Sequence, residues 1–139
     1  MKPAHSEKEL EAMLMESPFH QVLGLQLGAS NIKETWLELK MPFNSAIERA
    51  PDSGQYHGGV IASLIDIAGD FALIWALGFG VPTINFRTDY VRPAFNTALR
   101  ARATIRRIGR TVGVVDIDVF DDTNRLIAVG RGCYGTKEG

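Results

Sequence analysis

The chain has 139 residues, enough for one domain with a full hydrophobic core. Hydrophobic residues make up 45% and charged residues 22%, which excludes a disordered or collagen-like chain. A net charge of -1 excludes a general drive toward nucleic acid or anionic lipid, and a single cysteine, Cys133, excludes an intrachain disulfide.

The first 17 residues are interrupted by Glu7, Glu9, Glu11 and Glu16, so they lack the apolar stretch of a secretory signal. A cytoplasmic location is expected. Ser6 followed by Glu9 fits a capping box. It predicts a short helix with Leu10, Met13 and Leu14 on one face, ending near Ser17 and Pro18. Residues 23–27 read as extended. So do residues 33–41, where Leu37, Leu39 and Met41 alternate with Glu38 and Lys40. Pro42, Pro51, Asp52, Ser53 and Gly54 mark residues 42–56 as a long loop, and long loops in compact domains are often functional.

Residues 58–77 are apolar nearly all round, without proline, and too long for a strand. They predict a helix buried on most sides, stopped by Gly78 and Gly80. Asp66 and Asp70 make the segment too polar for a membrane span. Strands follow at 83–91, 98–107, 112–120 and from 126 to 134, with turns at Arg107-Ile108-Gly109-Arg110 and Asp121-Asp122-Thr123-Asn124. Short turns between consecutive strands predict an antiparallel meander of these four. One helix cannot cover two sheet faces, so the economical architecture is α+β: a curved antiparallel sheet around a single long helix, in one domain spanning 1–139.

The chemistry concentrates at Tyr56-His57-Gly58-Gly59 and the acid that follows at Asp66. A carboxylate in an apolar run is costly unless paired or used. Paired glycines at a helix start leave backbone N–H groups for a ligand. Asp66 and Asp70, four apart, share one helix face. One reading makes Asp66 a base or nucleophile, with Asp70 tuning it or contacting substrate. The other makes both carboxylates structural, bonded to backbone. His57 by itself reads as a junction residue. The three histidines, His5, His20 and His57, show no metal-ligand spacing, and neither a metal nor a cofactor is expected.

Seven arginines fall between Arg87 and Arg110, opposed there only by Asp89. Arg100, Arg102 and Arg106 alternate as a solvated strand face would. Arg107 and Arg110 sit in a predicted turn, where contact with a phosphate group of a nucleotide-like carrier is more plausible. No aromatic residue interleaves with this cluster after Phe95, which argues against nucleic acid. Cys133 reads as a packed thiol in a strand. Phe71, Trp75 and Phe79 are read as core residues at helical spacing, with an acyl-pocket lining as the alternative.

With these residues in place the chain resembles the hotdog-fold acyl-CoA thioesterases of the phenylacetate-degradation (PaaI) type. The resemblance rests on His57-Gly58-Gly59, six further residues and Asp66, and on the segment from Ile84 to Ala94 with its Arg92-Pro93 pair. Gly109 and Arg131-Gly132 also fit, so that it spans about 18–136. It implies a curved sheet around one central helix, and a homodimer with sites at its interface, often paired into a tetramer. It implies hydrolysis of an acyl-CoA thioester, with Asp66 as nucleophile or general base. The Gly58 N–H of the other subunit would polarise the thioester carbonyl, His57 would hold the loop and contact the thioester region, and Gly59 would contact substrate. Thr83 matches a hydroxyl residue that positions the attacking water in some relatives. Pro51 stands where many relatives carry Asn or Gln, and Asp52, Ser53 or Gln55 are the polar replacements at hand. Pro51 motivates a rival reading, a non-catalytic acyl-CoA-binding hotdog module. A hotdog hydratase is a third, disfavoured by the His-Gly-Gly pattern.

Overall fold

The computed structural model describes residues 1–139. Helix α1, Glu7–Glu16, begins at the expected capping box: the Ser6 side chain accepts from the Glu9 N–H, and the Glu9 side chain accepts from the Ser6 N–H. Helix α2, Pro18–Leu23, departs from the sequence pattern, which predicts residues 23–27 as extended: Leu23 closes this helix. The signals were local. Pro18 lies at the first helical position, where proline's missing donor costs nothing, and Gly24 ends the helix at φ 68°. Strands β1, Gln26–Asn31, and β2, Trp36–Met41, form a hairpin. Its turn is held by the Asn31 side chain, which accepts from the Lys33 and Glu34 N–H groups. The long loop then runs to His57, with one short 3-10 turn at Ser45–Ile47.

Helix α3 spans Gly58–Leu77 and ends at Gly78, φ 92°, as the glycine pattern predicts. After it come β3, Thr83–Tyr90, β4, Leu99–Ile108, β5, Val112–Phe120, and β6, Leu126–Gly135. All six strands form one antiparallel sheet in the order β1-β2-β4-β5-β6-β3. The expected four-stranded meander is therefore corrected. Only β4-β5-β6 run as a meander, while β3 lies at the far edge against β6. Residues 91–98 hold Pro93 and the positive-φ Asn96; they carry the chain across the sheet rather than around a tight turn.

The sheet curves around α3, and the core sits between them. Leu37, Leu39, Leu99, Ile117 and Val119 on the sheet face Leu64, Ile65 and Leu73 on the helix, each at most 1% exposed. Each such side chain contributes about 1.5–3 kcal/mol by leaving water. This burial accounts for the apolar character of α3, which by length and composition alone could cross a membrane. Alternation in β4 holds as read: Leu99, Ala101, Ala103 and Ile105 point inward. On the other face the buried Glu38 pairs with Arg100 and Arg102, and the partly exposed Asp116 pairs with Arg106 and Arg131. Phe71 and Trp75 belong to the core, with Phe79 packed against it.

Candidate active site

His57 is the N-cap of α3. Its Nδ1 accepts the Gly59 N–H at 2.9 Å, so the Gly59 donor is used internally and the ring is fixed over the helix start. The Gly58 N–H precedes any possible intrahelical acceptor and makes no backbone bond in the loops or caps. It stands at the positive end of a 20-residue helix. The Gly58 carbonyl accepts from the Tyr90 hydroxyl at 2.5 Å, and that phenol lies so close that a Cβ at position 58 would meet it at 3.3 Å. The φ at 58 is not positive, so a side chain there would be limited by this contact with Tyr90 and not by the backbone.

Gly58 lines a cavity of about 370 Å³. Ile61, Val91, Pro93 and Ala94 give it apolar walls, and Gln55, Tyr90, Arg49 and Arg92 add polar groups. Pro51 and Asp52 form a turn closed by the Ser53 N–H on Ala50 O, with Asp52 at φ 58°. Of the three polar replacements considered for Pro51, Gln55 is the one in the cavity. Its N–H is held by the Ser53 hydroxyl.

Asp66 lies eight residues further along α3, a rise of about 12 Å from Gly58. Its Oδ1 accepts from the Thr83 hydroxyl at 2.8 Å, and its backbone carbonyl accepts from the Tyr134 hydroxyl at 2.9 Å. The Tyr134 ring is fully buried in a slot left by two glycines: a Cβ at Gly69 or Gly132 would come within 2.4 Å of its oxygen. Thr83 thus contacts the Asp66 carboxylate, and Tyr134 is a support that spacing along the chain could not reveal.

Asp70 follows one turn later. One of its carboxyl oxygens is wholly buried without a hydrogen-bond partner. Burial, and then the charge of Asp66, push its pKa up to about 7, against a backbone hydrogen bond from Val81 that favours the charged form. An acid raised in this way binds its proton more tightly folded than unfolded. The stability it contributes is complete below the unfolded value near 3.8 and is lost as the pH rises through about 7. Asp70→Asn removes that loss. Between pH 5 and pH 8 the wild type is expected to lose a few kcal/mol relative to the variant, measured by denaturant unfolding. A gap independent of pH would contradict this placement of Asp70.

Arg107 and Arg110 lie at the β4–β5 hairpin, beyond a bulge between Ile105 and Arg107. Both arginines are exposed and line none of the cavities found. Cys133 is half-buried in β6 opposite Val114 and Asn85. Sequence spacing did not single out Arg49, Tyr90 or Tyr134 as site groups, because each reaches the site from a distant strand or loop.

Comparison with known proteins identifies the family and the fold. A family model described as the thioesterase superfamily matches residues 54–128. A candidate esterase of Halobacterium salinarum is 36% identical over 109 residues, covering 70% of this chain and 72% of its own. The medium/long-chain acyl-CoA thioesterase YigI of Salmonella typhimurium is 25% identical over 141 residues, covering 89% of this chain and 88% of its own. The structure of the Escherichia coli PaaI protein, from the phenylacetic acid degradation operon, superposes with a TM-score of 0.82 at 24% identity. It covers 95% of this chain and 93% of that one, which establishes the shared hotdog fold.

Proposed function

The chain belongs to the thioesterase superfamily and is a thioester hydrolase, and on that premise we propose that it hydrolyses an acyl-CoA ester in a site shared between two copies of the chain. The observation that carries the shared site is the separation of its parts. Asp66 and Gly58 lie about 12 Å apart along one helix, too far to act on a single carbonyl.

The edge strand β3 supplies the means of joining them. Its residues are exposed except for the half-buried Thr88, with Ile84 57% and Tyr90 53% accessible, and its outer edge has no partner strand. Such an edge invites pairing. Within one protomer the start of β3 holds Asp66 through Thr83, and its end holds Gly58 through Tyr90. Two β3 strands paired antiparallel about a two-fold axis set the start of one against the end of the other. Asp66 then faces the partner's Gly58, and both halves of each site are complete.

In this arrangement the thioester carbonyl oxygen accepts the Gly58 N–H, where the helix terminus stabilises the oxyanion that develops. The Asp66 carboxylate, oriented by Thr83, takes a proton from water or attacks the carbonyl carbon itself. With water as nucleophile a carbon–oxygen bond forms, the carbon–sulfur bond breaks, and the proton taken by Asp66 passes to the leaving thiolate. With Asp66 as nucleophile an acyl-Asp66 anhydride forms as the thiolate leaves, and water then hydrolyses it, regenerating the carboxylate and supplying the proton. Either route gives a carboxylic acid and the thiol of CoA. His57 keeps the glycine turn in place. Gln55, which lines the cavity, is the residue that could supply the amide that Pro51 lacks.

The test is thiol release from a panel of aryl and aliphatic acyl-CoA esters. Turnover of one class at enzymatic rates is expected. Absence of turnover across the whole panel, with carrier-protein thioesters hydrolysed instead, would overturn the assignment to CoA.

A further inference from the structure

The peptide unit that joins Gly58 to Gly59 is held at both ends by side chains. Its carbonyl, on Gly58, accepts the Tyr90 hydroxyl at 2.5 Å, and its N–H, on Gly59, donates to His57 Nδ1 at 2.9 Å. The preceding unit carries the free Gly58 N–H and is tied through its carbonyl: His57 O accepts the Val60 N–H at 3.0 Å. The His57 N–H in turn donates to Ile47 O, also at 3.0 Å. Two adjacent glycines make a loosely restrained helix start, since neither has a Cβ to limit its rotation. Here the backbone groups on either side of the Gly58 N–H are anchored, and that N–H is left for a ligand. Tyr90 reaches it from the last residue of β3, which pairs with Ala128 of β6, and the Val91 N–H just beyond donates to Ile127 O at 2.8 Å. The ring lines the cavity beside Gly58 and is 53% exposed, so it fills no core. A phenol has one proton to donate, and the Gly58 carbonyl takes it, which leaves none for a substrate oxygen.

We propose that Tyr90 is a positioning residue for the oxyanion donor: its hydroxyl and the His57 imidazole clamp the Gly58–Gly59 peptide between them and so aim the Gly58 N–H at the reacting carbonyl. The clamp rests on the hydrolase reading above and adds the group that orients its donor. A preorganised donor stabilises developing charge without reorganising at the moment of reaction. A donor free to swing stabilises it less, while the apolar walls at Ile61, Val91 and Pro93 are untouched. Loss of the hydroxyl therefore lowers kcat and spares KM. Strand β3 then serves the chemistry at both ends, with Thr83 orienting the acid and Tyr90 orienting the donor.

The experiment compares wild type, Tyr90→Phe, Gly58→Pro and the double variant on the acyl-CoA ester that wild type hydrolyses fastest. Tyr90→Phe keeps the half-exposed ring and removes only the hydroxyl. It is expected to lower kcat about three- to ten-fold, the scale of one neutral hydrogen bond, with KM within about two-fold. In the Gly58→Pro chain the donor is already gone, and the same substitution is expected to cost nothing further. Turnover unchanged in Tyr90→Phe overturns the proposal. So does an equal loss with and without the Gly58 N–H, which would place Tyr90 in support of the fold or the dimer. Amide exchange reads the clamp without turnover. The Gly59 N–H is expected to exchange faster in Tyr90→Phe, while the Gly78 N–H, bonded to Ile74 O at the far end of α3, keeps its rate. Unchanged Gly59 exchange overturns the clamp. Faster Gly59 exchange in a protein that hydrolyses no ester would retain the clamp and reject the hydrolase reading.

Discussion

Asp66→Asn is expected to lower kcat by about 10²- to 10⁴-fold while leaving the protein folded. The substitution is isosteric. The amide oxygen can still accept from the Thr83 hydroxyl, and the backbone carbonyl of residue 66 keeps its bond from Tyr134. What disappears is the negative charge and the lone pair that would take a proton or attack carbon. A second consequence follows from Asp70, whose raised pKa owes part of its shift to the Asp66 charge. With Asn at 66 the Asp70 titration should move down in pH, which carboxylate NMR can read independently of activity. A variant that keeps turnover within a few-fold of wild type would remove Asp66 from the chemistry.

Gly58→Pro is expected to cost about 10²- to 10³-fold in kcat, the scale of losing one oxyanion donor. Gly58 occupies the first position of α3, where proline is tolerated and its fixed φ suits the helix. His57 already holds φ -65° and ψ 134°, the extended region that a residue before proline prefers. The helix start therefore survives, and the ring occupies the place of the missing donor. Gly58→Ala is the companion variant. It keeps the N–H and only presses a methyl group toward the Tyr90 phenol. Alanine retaining most of the turnover while proline loses it would assign the effect to the donor. Equal losses would assign it to packing against Tyr90.

Much of this molecule is legible in its sequence, for local reasons. The Ser6 and Glu9 pair sets the start of α1, and Gly78 sets the end of α3, because caps are short-range chemistry. The alternation from Leu99 to Ile105 assigns a strand and its buried face together. Helix α2 was missed although Pro18 and Gly24 bracket it, since a single buried residue, Leu23, gives no period to read. The place of β3 beside β6 was missed because strand order depends on a crossover between residues 91 and 98, which carries no hydrophobic signature.

The site divides in the same way. His57, Gly58 and Asp66 announce themselves because a helix start and an acid in an apolar run break local rules. Thr83 came from resemblance alone, and the structure sets its hydroxyl on Asp66. Tyr90 and Tyr134 arrive from strands remote from His57, and Arg49 lies in the 42–56 loop, which the sequence marks as a whole without marking that residue. Tyr134 is the clearest example: its role depends on Gly69 in α3 and Gly132 in β6 leaving room for one phenol, a fit that exists only after folding.

The central claim is that Asp66 of one protomer serves the Gly58 of another. The most direct measurement co-expresses differently tagged Asp66→Asn and Gly58→Pro chains, purifies the mixed dimer through both tags, and assays thiol release. Each variant alone is crippled. If the site is shared, the mixed dimer holds one site with both groups intact and one with neither, and it recovers about half of the wild-type activity. If both groups act within one protomer, every site in the mixed dimer carries a defect, and activity stays as low as that of the parent variants.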